Sequence, residues 1–302
     1  ARWSRGLGDV YKRQLQKGRG PLSAECVAAH RYRTRKPTET ALYRLVEAHY
    51  EAVKGQWEDR FERCYGRWRG FVDGVVNRFL DCGVYESGCA RVRCPECARE
   101  YLVAFSCQTR TFCPSCAAKR SAVFGAFLSE EVLAEVGHWM MTFTVPKMLR
   151  QYFLHHRELL GKLSRAAWET VRELMAEAVG EEGFRAGMVV AVHSAGDFLG
   201  WHPHAHAVVP RGGWLACGQW VPVPYLDELA AERLFRHKVL SFLKEEGLIS
   251  EERIELLLSW RHSGFSVDMS VKVEPEDEKA VERVARYILR SPLSLERLTW
   301  DG

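Results

Sequence analysis

The chain has 302 residues, 47% of them hydrophobic, enough to bury one or two ordinary cores. No window approaches the roughly 20 apolar residues that span a bilayer, and no charged-then-apolar leader opens the chain, so a cytoplasmic protein is expected. The formal net charge is only +4, but residues 1–130 hold 23 Lys+Arg against 14 Asp+Glu and the remainder 20 against 25. The basic front half suits contact with a polyanion.

The run Gly8-Asp9-Val10-Tyr11-Lys12-Arg13-Gln14 reads as a translated sequencing adapter, so residues 1–14 are set apart from the fold. With no closing element before Trp300-Asp301-Gly302, the chain is expected to be truncated at both ends. Residues 15–80 form a helical segment, in which Pro37-Thr38-Glu39 opens a pattern of period near 3.6 through Leu42, Leu45, Val46, His49, Tyr50 and Val53. Shorter runs follow at Trp57, Phe61, Cys64 and Tyr65, then at Phe71, Val75, Val76 and Phe79. Arg60, Arg63, Arg67 and Arg69 either face solvent on this small bundle or face DNA.

Residues 81–120 are the cysteine module, since seven of the ten cysteines lie from Cys82 to Cys116. Cys94-Pro95-Glu96-Cys97 and Cys113-Pro114-Ser115-Cys116, fifteen residues apart, have the spacing of two knuckles on one tetrahedral zinc. A hairpin through the alternating stretch Tyr101 to Phe105 is expected to bring those knuckles together, giving a closed structural site on Cys94, Cys97, Cys113 and Cys116. Cys82, Cys89 and Cys107 are then alternative ligands or, more simply, small buried hydrophobes. Arg91, Arg93, Arg110, Lys119 and Arg120 surround the knuckles with Tyr101, Phe105 and Phe112 interleaved, a mixture suited to phosphate contact and base stacking. Protein docking is the competing use of such a module.

Residues 121–302 change character. A helix over about 117–136 leads into a strand, His138 to Val145, ended by Pro146; a long helix at 148–179 follows. Strands are expected at Met188–His193 and His204–Val209, a turn at Arg211-Gly212-Gly213, helices at 226–246 and 250–259, a strand from Phe265 to Val273 and a last helix at 277–290. Strands joined by short turns and punctuated by helices make an α+β domain on a largely antiparallel sheet.

Two patterns carry chemistry here. In Trp201-His202-Pro203-His204-Ala205-His206, strand alternation puts His204 and His206 on one face, where two imidazoles can chelate a divalent ion. On the last helix Arg283, Tyr287 and Arg290 lie at i, i+4 and i+7 on one face, beside a buried stripe of Val281, Val284, Ala285 and Ile288. A hydroxyl between two guanidinium groups is placed to meet a phosphate; taken alone, a core-edge tyrosine with two solvated arginines explains the pattern equally well. A third metal ligand is less evident. Asp268 is the first candidate, followed by His262, His193 and His202.

The combination resembles the insertion sequence 91 family of rolling-circle transposases. The matching stretches are Phe105-Ser106-Cys107, Thr111-Phe112-Cys113-Pro114-Ser115-Cys116, Thr142-Phe143-Thr144-Val145-Pro146, His202 to His206, and Ala285-Arg286-Tyr287-Ile288-Leu289-Arg290-Ser291-Pro292. The resemblance implies a zinc module followed by an HUH (His-hydrophobic-His) nuclease domain, with a central antiparallel sheet flanked by helices. It further implies Mg²⁺ or Mn²⁺ on His204 and His206, and nicking of single-stranded DNA by Tyr287 through a 5′-phosphotyrosine, with strand transfer between transposon ends and target. Many relatives carry two tyrosines four residues apart; here the neighbouring positions are Arg283 and Ser291, which suggests the single-tyrosine branch. The competing functions are a non-catalytic zinc-ribbon DNA-binding remnant, a relaxase or replication initiator, and a hydrolase that activates water.

Overall fold

A computed structural model describes residues 36–109, 112–196, 199–293 and 298–300. The adapter-like run, Cys26 and Arg110 lie outside these residues. The described chain forms two units, 36–117 with 293 and 298–300, and 118–292. Among the described residues no helix is long and apolar enough to cross a membrane.

In the first unit Thr40 caps helix α1 (Ala41–Gly55), its hydroxyl accepting from the Tyr43 amide at 3.3 Å. Single-turn segments at Trp57–Arg60 and Glu62–Tyr65 lead to α2 (Phe71–Leu80). The apolar stripes of the two helices meet, with Leu42 and Tyr43 against Phe79, and this small core continues directly into Cys82, Cys113 and Cys116. An antiparallel hairpin of β1 (Cys89–Arg93) and β2 (Glu100–Ala104) follows, registered from Cys89 opposite Ala104 to Arg93 opposite Glu100. Pro114 then opens α3 (Pro114–Phe127), the first-turn position a proline tolerates.

The second unit is built on a four-stranded antiparallel sheet. Its strands are β3 (His138–Thr144), β5 (Val189–Ala195), β6 (Trp201–Pro210) and β9 (Ser266–Val273), in the order β5-β6-β3-β9. Short strands β4 (Arg185–Ala186), β7 (Gly212–Trp214) and β8 (Trp220–Pro222) make a separate three-stranded sheet that the sequence pattern does not announce. The expected helix at 148–179 is broken at His156 into α4 (Arg150–His155) and α5 (Leu159–Val179), although no proline or glycine stands there. The remaining helices are α6 (Glu228–Glu245), α7 (Glu251–Ser259) and α8 (Glu278–Tyr287).

Period-two alternation sorts the sheet's side chains. Trp139, Met141, Phe143, Ala205, Ala207, Val209, Val267 and Met269 join Leu163, Val171, Phe235 and Val239 of α5 and α6 in the main core. Phe143 meets Phe235 with ring centroids 5.1 Å apart, and truncating either to Ala would cost about 3–5 kcal/mol. The opposite face begins apolar, with Met140 and Val208 under Ile288, Val284 and Phe124. It ends polar: Thr142 registers with His206 and Asp268, and Thr144 with His204 and Ser266.

Candidate metal centre and nucleophile

The thiols come first in the chain. Cys82, Cys107, Cys113 and Cys116 place their sulfurs within 4.8 Å of one another. Neighbouring Sγ–Sγ separations are 3.6 Å (Cys82–Cys116 and Cys107–Cys116) and 3.8 Å (Cys82–Cys113). A disulfide needs about 2.05 Å. Four sulfurs at 2.3 Å from a tetrahedral ion stand about 3.8 Å apart, so the spacing fits zinc. The electrostatics agree. Hydrogen bonding from the neighbouring thiols, Cys113 first, draws Cys107 down to about 6, and Cys107 and its neighbours draw Cys116 down further. The same contacts push Cys82 and Cys113 up. Four thiolates in contact cannot all ionise without a cation between them. Cys113 and Cys116 also sit at the start of α3, where the helix dipole favours an anion.

This cluster differs from the expected ligand set. Cys113 and Cys116 are in it; Cys94 and Cys97 are not, and Cys82 and Cys107 take their places. The reason is the hairpin. Cys94 and Cys97 occupy its turn, beyond the Arg93–Glu100 pair, while Cys107 follows the other end of β2. At about 3.4 Å per residue, five paired residues carry the first knuckle away from the second instead of towards it. Cys82 and Cys107, which the sequence leaves as alternative ligands or, more simply, small buried hydrophobes, complete the cluster. The signal was available in the run Cys107-x5-Cys113-x2-Cys116. Arg91 and Arg93 both pair with Glu100 across the exposed hairpin, at 3.8 and 3.6 Å. Lys119 and Arg120 are exposed on α3.

The imidazoles form the second cluster. His193, His204 and His206 lie on the paired strands β5 and β6, His193 directly opposite His204, with ligand atoms within 4.8 Å of one another. Each ring has one nitrogen occupied. The Nδ1 of His204 donates to the His202 carbonyl at 2.7 Å, and the Nε2 of His193 donates to the Ile288 carbonyl at 2.8 Å. The Nδ1 of His206 bonds the Thr142 hydroxyl at 3.1 Å. Such contacts set tautomer and ring orientation, leaving one nitrogen per ring for a metal. Burial lowers all three pKa values, that of His206 to about 3 with help from its charged neighbours, so the rings are neutral and ligand-ready at pH 7.

Asp268 does not join them. It stands on β9, two strands from His206 with Thr142 between, and its carboxylate accepts from the Ser270 amide at 2.9 Å. That bond caps the local register shift opposite Met140 and Thr142, which gives Asp268 a backbone role. Neither His262 nor His202 is in the cluster, although the His202 ring lies 4.9 Å from that of His204.

Helix α8 lays its tyrosine against this centre. Asp277 caps it, accepting from the Ala280 amide at 2.8 Å, and Ala285 and Ile288 bury its inner face. Gly125 of α3 lets it approach: a Cβ there would lie 2.8 Å from Arg286 Cγ, and the Ser121 hydroxyl donates to the Arg286 carbonyl at 2.8 Å. Tyr287 consequently stands edge-on to His206, centroids 5.1 Å apart, and 6.3 Å from His193, while remaining 40% exposed. Arg290 lies over the Tyr287 ring at 5.6 Å, and its charge reaches His193 and His206. Arg283, expected as its counterpart, turns instead to Asp277 at 3.6 Å.

Two families match this chain in the same order as the two clusters. Residues 52–145 match the family described as "Transposase zinc-binding domain", and residues 187–300 one described as "Putative transposase". The chain belongs to the insertion sequence 91 family of transposases. It is 26% identical over 239 residues to the transposase for insertion sequence element IS801 of Pseudomonas savastanoi pv. phaseolicola, an alignment covering 74% of this chain and 56% of that protein. It is 32% identical over 162 residues to "Putative transposase y4qJ" of Sinorhizobium fredii (strain NBRC 101917 / NGR234), covering 50% and 39%. The chain thus spans about half the length of these curated relatives. In this family member the zinc-binding match encloses all four clustered cysteines, and the second match encloses the three histidines and Tyr287.

Proposed function

We propose that this chain processes single-stranded DNA as a rolling-circle transposase in the bacterial cytoplasm, with Tyr287 as nucleophile and His193, His204 and His206 as ligands of Mg²⁺ or Mn²⁺. The observation that carries the proposal is the Tyr287 ring standing 5.1 Å from His206, edge-on, half-exposed beside three neutral imidazoles. The donor set fits a divalent ion with open positions. Such an ion, when bound, supplies Lewis-acid polarisation of a phosphoryl oxygen. Structural Zn²⁺ is assigned to Cys82, Cys107, Cys113 and Cys116.

The chain's own residues do the rest. Tyr287 Oη attacks the scissile phosphorus, losing its proton to solvent, and the P–O3′ bond breaks as the 3′ oxygen takes up a proton. The products are a 5′-phosphotyrosine and a free 3′-OH, and attack by a 3′-OH on the phosphotyrosine rejoins a strand. This polarity follows the family likeness. Arg290 favours the developing phenolate and contacts the phosphate. With one tyrosine, cleavage and rejoining alternate on the same residue. Lys119 and Arg120 contribute backbone contacts to the DNA.

The test is an SDS-resistant adduct on 5′- and 3′-labelled single-stranded oligonucleotides from the element's ends, with Mn²⁺. An adduct on the 5′ end of the downstream fragment, lost in Tyr287→Phe and in a His204→Ala/His206→Ala double variant, is the expected result. Cleavage that survives Tyr287→Phe would replace the nucleophile with water. DNA binding with no cleavage, in a chain of the relatives' full length as well, would leave a binding remnant.

A further inference from the structure

We infer that Arg150 is a second phosphate-binding guanidinium of this centre, beside Arg290; this rests on the phosphodiester-cleaving function proposed above. Arg150 begins α4, six residues beyond Thr144, whose register partner on β6 is His204. Its main chain is tied to the same strand, because Trp201 Nε1 donates to the Arg150 carbonyl at 2.8 Å. Trp201 is held in turn by Arg157, whose guanidinium lies 4.7 Å from the indole ring. The Arg150 side chain is anchored only loosely, its Nε reaching the Val145 carbonyl at 3.4 Å, and among the described residues neither terminal nitrogen has a hydrogen-bond partner.

Several arginines near the site are neutralised by a carboxylate, and Arg150 is not among them. Arg283 pairs with Asp277, Arg286 with Glu282 and Arg211 with Glu274. Arg150 is half-buried, loses solvation, and has no carboxylate partner among the described residues. Its guanidinium is held at the Val145 carbonyl, one residue beyond Thr144, the register partner of His204. A partly desolvated cation without an anion is unfavourable unless a ligand brings one. Two guanidinium groups on elements next to three neutral imidazoles, with no carboxylate in that cluster among the described residues, form a site for a phosphodiester. The planar Nη pair suits two phosphate oxygens, a geometry lysine lacks.

The experiment compares wild type, Arg150→Gln, Arg150→Lys, Arg150→Ala and, as a neighbouring arginine that stacks on Trp201, Arg157→Gln. Affinity for single-stranded DNA is measured at equilibrium in a Tyr287→Phe background, and adduct formation in single turnover with Tyr287 intact. Arg150→Gln should weaken affinity about 10-fold and slow adduct formation about 100-fold, with Arg150→Lys recovering little of either. Thermal stability and Mn²⁺ affinity should stay within twofold of wild type. A methylphosphonate at the scissile position, lacking the charged oxygen, should slow wild type sharply but Arg150→Gln hardly further. Millimolar guanidinium should restore part of the rate in Arg150→Ala. Equal losses from methylphosphonate in both proteins, or Arg150→Gln within twofold of wild type in affinity and rate, would overturn the assignment. Absence of any wild-type adduct would count against the nuclease function, while the affinity comparison would still decide whether Arg150 binds the phosphate backbone.

Discussion

The thiol cluster and the imidazole cluster bring metal donors together in opposite ways. The four sulfurs come from separated points of the chain, the end of α2, the end of β2 and the start of α3, and are packed into an apolar core with Phe79 and Leu42. The three imidazoles come from two paired strands and share a sheet face that opens towards a half-exposed tyrosine. A closed set of four donors saturates its ion and holds the fold. An open set of three keeps positions for a substrate oxygen. The difference shows where each site is vulnerable: the first to loss of any one ligand, the second to loss of orientation.

The largest effect expected from that contrast is on folding. Replacing Cys113 with Ser should release zinc and abolish cooperative unfolding of the first unit, since structural zinc contributes on the order of 10 kcal/mol. Cys94→Ser with Cys97→Ser should leave one zinc per chain and an unchanged melting transition. Zinc stoichiometry with calorimetry reads both, and a double variant as damaged as Cys113→Ser would return the ligand set to the two knuckles. A smaller effect separates the third ligand. His193→Ala should weaken Mn²⁺ binding at least 100-fold by titration calorimetry, whereas Asp268→Ala should change it less than twofold because Asp268 lies two strands away. The reverse order would restore the carboxylate. The mildest change is to orientation alone. Thr142→Val removes the 3.1 Å partner of His206 Nδ1 and should cost about 10-fold in Mn²⁺ affinity while leaving zinc content untouched. No change in either would mean that the His206 ring is held by packing.

Local pattern made much of this legible. The period-two run around His204 and His206 defines a strand whose two histidines share a face, and the 3.6 period of α8 sets Tyr287 on the face next to that helix's own buried stripe. Both are short-range consequences of backbone geometry, as is the alternation that buries Phe143 and Met141. The family likeness was carried by the same motifs. Three assignments depended on which distant segments meet. His193 was only one candidate among several until β5 paired with β6 and set it opposite His204. Arg150 carried no sequence signal, because its charge matters only through the strand to which Trp201 ties it. The spacing of Cys-x-x-Cys pairs named two sound knuckles, but spacing measures distance along the chain. The hairpin converted it into separation in space, and sent one knuckle outward while Cys82 and Cys107 moved in. Residue type and periodicity determined which side chains in this protein are able to bind a metal, because those are properties of the local backbone. Which of them come within reach of one ion was decided only by the tertiary structure, because coordination is a matter of a few ångströms between residues that the sequence keeps far apart.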